Sequence, residues 1–291
     1  MTAAPAGEDA PPLRRGHEVG AYFRFERWEL PAAGGAEAPS EMVGRVPIDD
    51  HHRSPAGGLT TAGLLTCIDS IGGLVAGLSV LPRWIVTTSL SVQVTAPRQV
   101  GPLRTHARVL RRGRSSVVAA IDVSDEGAGD ARVADAVIAC AVLDPGELGL
   151  EFTRPLVIPM PAPDPAPEPL ETFFAIEDGW GPATRMVLEE RLRNPWGILH
   201  GGAVATLVDV AARRAVAGDP GGPEGPEGRV GPAAVTGIVL HYLAPIRVGP
   251  VEARASVVGR RVDGTVVRVA VHDTGNGDRL AALASVTVGR V

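Results

Sequence analysis

The stretch Asn194-Pro-Trp-Gly-Ile-Leu-His-Gly-Gly-Ala-Val-Ala-Thr-Leu-Val-Asp209 decides how the rest of the chain is interpreted. It begins as a loop, passes through the pair Gly201-Gly202 and becomes apolar at helical spacing from Val204 onward, which predicts a helix with one buried face. Asp209 stands beside that face, where a carboxylate is costly unless it has a partner or a chemical task. Glycines at a helix start leave backbone N–H groups uncovered, and these can stabilise a developing oxyanion. The stretch thus combines a carboxylate and an uncovered backbone N–H, the two groups needed to attack a carbonyl.

The composition fits a globular protein and argues against a nucleic-acid partner. The chain has 291 residues, of which 45% are hydrophobic and 21% charged, and this suits one large domain or two ordinary ones. Its formal net charge is -5, so it offers no basic field to a phosphate backbone. All 28 basic residues are arginine, a bias that we attribute to genome composition.

The sequence predicts a cytoplasmic protein with no membrane span. Cys67 and Cys140 form neither a disulfide framework nor a metal-spaced motif. Met1–Gly16 lacks the basic and apolar regions of a secretion signal. Ala62–Leu81 resembles a membrane span most closely, but Asp69 interrupts it and the uncharged part that follows falls short of the roughly 20 residues needed to cross. We expect this segment to be a buried helix.

An internal repeat organises the chain. Residues of the first half recur in the second at an offset of 140 residues and, after a longer loop, at an offset of 148. The matched pairs are Arg45 and Arg185, Gly57 and Gly197, Leu59 and Leu199, Thr66 and Thr206, Asp69 and Asp209, and then Ala96-Pro97 and Ala244-Pro245. Matches in one register across a helix and the strands after it are hard to attribute to shared composition. The chain is therefore predicted to be two copies of one domain.

Each copy is predicted to be a strand, a long helix and then four strands joined by short turns. The helices are expected at Thr60–Leu81 and Gly201–Ala217. The strands are expected at Trp84–Ala96, Leu103–Leu110, Ser116–Ser124 and Val133–Leu143, and at Ala233–Leu243, Val251–Val258, Thr265–His272 and Leu280–Val288. Extended segments are also expected at Ala21–Leu30, Glu41–Ile48, Glu171–Ile176 and Ala183–Leu192. Short turns favour antiparallel neighbours, so an α+β fold with an antiparallel sheet wrapped around a central helix is predicted.

The same reading divides the chain into four parts. Residues 1–18 are predicted to be a disordered tail, and residues 19–145 the first domain. Residues 146–169, which are crowded with proline, are predicted to be an extended linker, and residues 170–291 the second domain.

The motif Asn194-x-x-Gly197-x-x-His200-Gly201-Gly202, followed by Asp209, resembles that of hotdog-fold acyl-CoA thioesterases of the 4-hydroxybenzoyl-CoA and phenylacetate-pathway (PaaI-like) type. In both copies a strand that ends in Ala-Pro then leads to Val-Gly-Pro, as in that family. The resemblance covers nearly the whole chain past the tail, once per copy, although the first copy departs from the motif. Ser54, Thr60, Thr61 and Ala62 stand there at the positions of the asparagine, histidine and two glycines.

The resemblance implies two hotdog domains in tandem that pair as an intramolecular pseudo-dimer, with composite sites between them. One site would take Asn194, His200 and Gly201 from the second copy and Asp69 from the first, with Thr87 at the family's hydroxyl position. The Gly201 N–H would hold the thioester oxygen, and Asp69 would act as general base or nucleophile, two routes that the sequence does not separate.

The other composite site would be degenerate. It would set Asp209 against Ser54, Thr60 and Thr61, and Val235 replaces the hydroxyl residue there. For a single buried acid, an ion pair with structural function is the simpler reading, and this alternative weighs more for Asp209 than for Asp69.

Further residues receive weaker assignments. Gly202 would let substrate approach the backbone, and Arg98 and Arg247 could meet the phosphates of coenzyme A. The run from Asp49 to His52 could suggest a metal, but the second copy has Glu189–Leu192 in its place, so neither a metal nor a cofactor is expected.

Three functions remain open from the sequence. The leading one is hydrolysis of an acyl-CoA, or of a thioester on acyl carrier protein, to a free acid. A second is a non-catalytic acyl-CoA-binding or regulatory protein, because a fold does not imply a function. A third is a hotdog hydratase or dehydratase, whose Asp-x-Asn-x-x-His pattern on the central helix is not seen here. Further assembly into a homo-oligomer is left open.

Overall fold

The computed structural model describes residues 17–25, 39–54, 57–96, 98–144, 167–177, 183–194, 196–218 and 233–290. The helices are α1 (His17–Tyr22), α2 (Thr61–Leu78), α3 (Leu170–Phe173) and α4 (Gly201–Ala217). The strands of the first half are β1 (Glu41–Val46), β2 (Trp84–Val94), β3 (Leu103–Arg112), β4 (Ser116–Asp125) and β5 (Ala131–Leu143). Those of the second half are β6 (Ile176–Glu177), β7 (Ala183–Met186), β8 (Ala233–Tyr242), β9 (Val251–Arg261), β10 (Gly264–Asp273) and β11 (Arg279–Arg290).

The described strands form one antiparallel sheet that runs through both halves. Its order is β1-β3-β4-β5-β2-β8-β11-β10-β9-β7-β6, so the halves meet where β2 pairs with β8. At that junction Ser89 lies opposite His241 and Leu90 opposite Leu240. The strand order inverts across the junction, which is the contact expected if two equivalent domains pair side by side.

The central helices α2 and α4 pack on this sheet and also against each other. Both are capped by the side chain that precedes them, since Thr60 accepts from the Gly63 N–H and His200 from the Gly202 N–H. Their contact is close because a glycine faces a threonine: a Cβ added to Gly202 would lie 2.7 Å from the Cβ of Thr66. Only a residue without a side chain fits there.

The predicted fold class is confirmed. The eight strands expected after the two helices are all present, with ends that differ by at most a few residues, and α4 has the predicted bounds. Each helix is covered by the sheet of its own half, as the α+β prediction requires.

The segment that resembles a membrane span is a core helix in the fold. Thr61–Leu78 is long and apolar enough to cross a bilayer by length and composition, but 89% of it is buried inside the protein. Its apolar residues pack on β2 to β5, so the protein interior accounts for its composition.

Two predicted extended segments are wrong. Within Ala21–Leu30 the described part belongs to α1 and the turn after it. Glu171–Phe173 belongs to α3 and is followed by a turn, so that of this segment Ile176 alone lies in a strand, β6. The aromatic residues of these segments pack the two short helices together, with Tyr22 of α1 stacked on Phe173 of α3 at 4.1 Å between ring centroids. Long-range ring packing therefore outweighs the local pattern.

The predicted domain boundaries stay a prediction. Most of the expected tail, residues 1–16, and most of the expected linker, residues 146–166, lie outside the described residues. His17 and Glu18, which were assigned to the tail, belong to α1.

The close helix contact predicts a stability effect. Gly202→Ala should lower the free energy of unfolding by about 1 to 3 kcal/mol, because the new Cβ overlaps Thr66 and the helices must separate. Thr66→Ala in the same chain should recover part of that loss, since it removes the overlapping methyl and hydroxyl groups. Chemical denaturation of the two single variants and the double variant measures the coupling. Strictly additive losses would contradict this contact.

Candidate functional site

A cavity of about 540 Å³ opens between the two halves. The first half lines it with residues of α2 and β2, and the second half with the loop before α4, the start of α4 and the end of β8. The volume lies within the range of about 300–1,000 Å³ that is usual for small-molecule sites. Asp69, Thr87, Asn194, His200 and Gly201 all line it, so the structure brings together the five residues predicted for the first composite site.

The Asp69 carboxylate reaches from α2 to the other half of the chain. One oxygen, Oδ1, accepts a hydrogen bond of 2.8 Å from the Thr87 hydroxyl on β2. The other, Oδ2, lies so close to Gly201 that a Cβ added there would be 2.6 Å from it. Glycine is therefore required at the start of α4 for this carboxylate to approach the backbone.

The first turn of α4 provides an available backbone donor. His200 is the N-cap, and its Nδ1 accepts the Gly202 N–H at 3.0 Å, which leaves the ring proton of a neutral imidazole on Nε2. Within the described part of the chain, no backbone or side-chain atom accepts a hydrogen bond from the Gly201 N–H. A donor at the positive end of a helix dipole suits an oxygen that gains negative charge.

Burial sets the charge state of the Asp69 and His200 pair. It raises the pKa of Asp69 above its ordinary value, although nearby His200 and the Thr87 hydrogen bond partly oppose the shift. Burial also lowers the pKa of His200, and this effect outweighs the attraction of Asp69. The imidazole is therefore neutral near pH 7.

Asn194 organises the loop that leads to α4. Its side-chain Oδ1 accepts the backbone N–H groups of Trp196 at 3.0 Å and Ile198 at 3.3 Å. The His200 N–H donates to the Leu192 carbonyl and holds the end of the same loop. Asn194 lines the cavity, but these hydrogen bonds of its side chain are made to the loop and not to Asp69.

Tyr242 belongs to the site and was not predicted from the sequence. Its hydroxyl donates to the Gly201 carbonyl at 3.0 Å, and burial beside Asp69 raises its pKa well above the ordinary value. The first copy has Val94 at the equivalent position, so the repeat gave no signal for it. Only its place near the end of β8, before Ala244-Pro245, could have indicated it.

Asp209 lies in a closed environment that differs from that of Asp69. It is 2% exposed and does not line the cavity. Its Oδ2 accepts the Ala62 N–H at 3.1 Å, and its Oδ1 accepts from Arg213 Nε at 2.6 Å. Arg213 also donates to Glu171 at 2.7 Å, and the two carboxylates raise the pKa of the guanidinium. Asp209 is thus held in a buried ion-pair network.

The three predicted substrate-binding residues have different surroundings. Arg247 is exposed at the mouth of the cavity, next to exposed Leu243 and Pro245. Arg98 is exposed and lies outside the residues that line the cavity. Gly202 packs on Thr66, so it contributes to the contact between helices.

The group Asp49, His51 and His52 could hold a metal by distance, but its hydrogen bonds argue against this. His52 uses both ring nitrogens, since Nδ1 accepts the Asp49 N–H and Nε2 bonds to the Tyr22 carbonyl at 2.8 Å. Burial lowers the pKa of His52 to about 4. The histidine is a neutral structural residue that ties α1 to the first half.

Neither cysteine has the environment of a nucleophile. Cys67 and Cys140 are buried, and burial with the nearby Asp69 charge raises the pKa of Cys140 to about 12. Burial also raises the pKa of Cys67. Both stay protonated, whereas the thiolate is the reactive form.

The site-bearing part of the chain matches a known family. Residues 197–279, from the loop before α4 to the start of β11, match the model of the thioesterase superfamily. No curated protein matches the sequence significantly.

Solved structures share the fold over most of the chain. An acyl-ACP thioesterase from Bacteroides thetaiotaomicron has a TM-score of 0.56 at 11% identity, over 87% of this chain and 100% of that one. A 12:0-ACP thioesterase from Umbellularia californica has a TM-score of 0.59 at 9% identity, over 87% and 95%. The tesB protein of Mycobacterium avium subs paratuberculosis has a TM-score of 0.59 at 15% identity, over 95% and 99%. The predicted hotdog fold is confirmed by this likeness, which at these identities concerns the fold alone.

Asp69 should destabilise the folded protein at pH 7, whereas the ion pair of Asp209 should stabilise it. The pKa of Asp69 is higher in the folded than in the unfolded chain, so its contribution to stability is full below the unfolded value of about 3.9 and is lost as the pH rises through the folded value. Asp69→Asn should therefore raise the free energy of unfolding at pH 7, with little effect at acid pH.

Removing the partner of Asp209 should do the reverse. Arg213→Ala leaves a buried carboxylate without its counter-ion and should lower the free energy of unfolding by about 3 to 5 kcal/mol. Urea denaturation of both variants at pH 7 compares them directly. Destabilisation by Asp69→Asn that equals that of Arg213→Ala would contradict the distinction.

Proposed function

We propose that the chain is an acyl-thioester hydrolase with one working site, the cavity between its halves. The observation that carries this proposal is the approach of the Asp69 carboxylate to Gly201, the first residue of α4, across the seam between the halves. The match of residues 197–279 to the thioesterase superfamily supports it independently. The PaaI-like type is part of the proposal and rests on the sequence motif.

Hydrolysis at this site follows from the two groups that face the cavity. The thioester oxygen accepts the Gly201 N–H, and the helix dipole favours the negative charge that develops on it. Asp69 either removes a proton from a water that attacks the acyl carbon or attacks that carbon itself, and water then cleaves the acyl-enzyme. In both routes the carbon–sulfur bond breaks, and the products are the free acid and the thiol.

The neighbouring side chains position these groups. Thr87 donates to Asp69 and fixes which oxygen faces Gly201. Neutral His200 and Asn194 shape the loop and the helix start, so the backbone donor is preorganised. Tyr242 holds the carbonyl of Gly201 from the other side and limits rotation of that peptide.

The substrate is proposed to be an acyl-CoA or a thioester on acyl carrier protein. Exposed Arg247 stands at the cavity mouth, where it could meet a phosphate of the carrier. Two solved relatives of the fold are named as ACP thioesterases, so the carrier is left as a choice between these two. The cytoplasmic location, the absence of nucleic-acid and membrane partners and the oligomeric state stay predictions from the sequence.

A single working site fits the surroundings of the two acids. Asp69 borders a cavity, whereas Asp209 is closed in by Arg213 and Glu171 and already accepts the Ala62 N–H, which belongs to the first turn of α2. The second copy therefore supplies the oxyanion donor, the first supplies the acid, and the other pairing serves stability.

The assignment of the acids is tested by turnover. Asp69→Asn should lower kcat at least about 100-fold, because the amide can neither accept the proton nor attack. Asp209→Asn should lower kcat much less, when kcat is expressed per folded molecule, since this residue does not border the cavity. Thiol release from acetyl-, octanoyl-, dodecanoyl- and benzoyl-CoA measures both, with circular dichroism as a check on folding. Equal losses, or a larger loss for Asp209→Asn, would overturn the assignment, and tight binding without release would favour the non-catalytic function.

The shifted acid predicts a pH profile. Because burial raises the pKa of Asp69, kcat/KM should increase with pH through an apparent pKa above the ordinary value of about 3.9 for aspartate. The residual activity of Asp69→Asn should lack this ascending limb. A limb that persists unchanged in Asp69→Asn would assign it to another group.

A further inference from the structure

The two composite sites differ at two aligned positions outside the recognised motif. On the central helices, Gly73 stands one turn after Asp69, and at the offset of 140 residues its equivalent is Arg213, one turn after Asp209. On the short helices, Gly20 of α1 corresponds to Glu171 of α3 at an offset of 151 residues. Each of two glycines near the first site is thus replaced by a charged residue near the second.

The equivalence of α1 and α3 rests on matching backbone geometry. In both, the second residue after the helix is a non-glycine residue with positive φ, Arg24 at 55° and Ala175 at 51°. The Arg24 N–H donates to the Ala21 carbonyl, and the Ala175 N–H donates to that of Thr172, in the same three-residue step. The sequences agree at the same offset, because Tyr22-Phe23 falls on Phe173-Phe174 and Val19 on Leu170.

The charged pair fills the space beside Asp209. Arg213 extends from α4 between Asp209 and Glu171 and donates to both at 2.6 and 2.7 Å. The Arg213 side chain and the Glu171 carboxylate thus lie between α4 and α3. Asp209 is consequently 2% exposed.

The two glycines leave the corresponding space beside Asp69 open. Gly20 and Gly73 both line the cavity. A Cβ added to Gly73 would meet only the Cδ1 of Ile85, at the comfortable distance of 4.0 Å. Two other glycines of α2 differ, because a Cβ at Gly72 would lie 3.1 Å from Ile121 and one at Gly77 only 2.8 Å from the ring of Trp84. Gly73 is therefore not required by the packing of the helix but faces the cavity.

The walls beyond Gly73 are apolar. Trp84 and Trp196 have ring centroids 5.8 Å apart and pack with Leu74, the residue after Gly73, in one apolar cluster. All three line the cavity, as does buried Phe25. Apart from Asp69, the charged side chain among the described lining residues is Arg247, at the exposed mouth. A chain that enters at the mouth and passes Asp69 thus meets only uncharged surface.

We propose that Gly73, together with Gly20, is a specificity-determining residue: it opens a branch of the cavity for an uncharged, extended acyl chain. This inference rests on the proposed function and adds the substrate class to it. Gly73 lies about 6 Å from Asp69 along the helix axis, so an acetyl group held at Asp69 does not reach it, whereas an octanoyl group does. Burial of the chain against this apolar end favours the longer acyl group.

A graded series at Gly73 tests the proposal. Gly73→Ala, Gly73→Val and Gly73→Leu should lower the ratio of kcat/KM for octanoyl-CoA to that for acetyl-CoA in steps, reaching at least about tenfold for leucine, because each excluded methylene of the substrate forfeits its burial. Gly259→Leu is the matched control, since a Cβ there meets nothing within 4 Å and the residue lies on β9 outside the cavity. The control should leave the ratio unchanged. If leucine perturbs folding, the alanine and valine variants still report the trend.

Binding of S-octyl-CoA and S-ethyl-CoA, which cannot be hydrolysed, separates this inference from the proposed function. Calorimetry on the wild type and Gly73→Leu should show a selective loss of affinity for the octyl compound. An active wild type with an unchanged substrate ratio in Gly73→Leu would overturn the inference and leave the function intact. Selective loss of octyl binding in a chain that hydrolyses no thioester would overturn the function and support the inference. Failure of the wild type to bind either compound, and to release acid from octanoyl and acetyl groups on acyl carrier protein, would overturn both.

Discussion

The structure depends on the close contact of its two central helices. Gly202 at the start of α4 lies directly against Thr66 of α2, with no room for a side chain between them. This contact brings the start of α4 within reach of α2 of the other half, so a carboxylate one turn further along α2 can face a backbone amide that its own half does not supply. Pairing of β2 with β8 fixes the same relation from the sheet side, because Ser89, two residues after Thr87, lies opposite His241 near the end of β8. The candidate site is thus a consequence of how the halves pack.

The two halves differ in what surrounds their equivalent acids. Around Asp209 an arginine and a glutamate complete a buried network, which costs desolvation but leaves no charge unpaired. Around Asp69 the equivalent positions are glycine, and the acid is left with a hydroxyl, a neutral imidazole and an open cavity. A buried acid without a counter-ion destabilises the fold, and such local costs are typical of functional sites. The proposed arrangement thus leaves only the acid at Asp69 beside an open cavity, whereas Asp209 is enclosed.

Much of this could be predicted from the sequence, because local periodicity and the repeat report on the same physics. Alternating apolar residues placed the long strands, the helical stripe placed α4, and the offset of 140 residues paired Asp69 with Asp209. The convergence of Asp69, Thr87 and Gly201 was also predicted, but through a family resemblance and not through periodicity. The aromatic segments at α1 and α3 were wrongly predicted to be strands. Their helices are held by ring packing between distant parts of the chain, and no local sequence pattern reveals such packing. Tyr242 and the pairing of Arg213 with Glu171 have no counterpart in the other copy, so the repeat could not indicate them.

The central claim is that Asp69 and Gly201 act on one thioester across the seam between the halves. A crystal structure of Asp69→Asn with octanoyl-CoA tests it most directly, because the substitution should preserve the bound thioester. The account predicts the thioester oxygen within about 3 Å of the Gly201 nitrogen, with the acyl carbon facing residue 69. An acyl group bound beside Asp209, or on a surface away from the cavity, would contradict it.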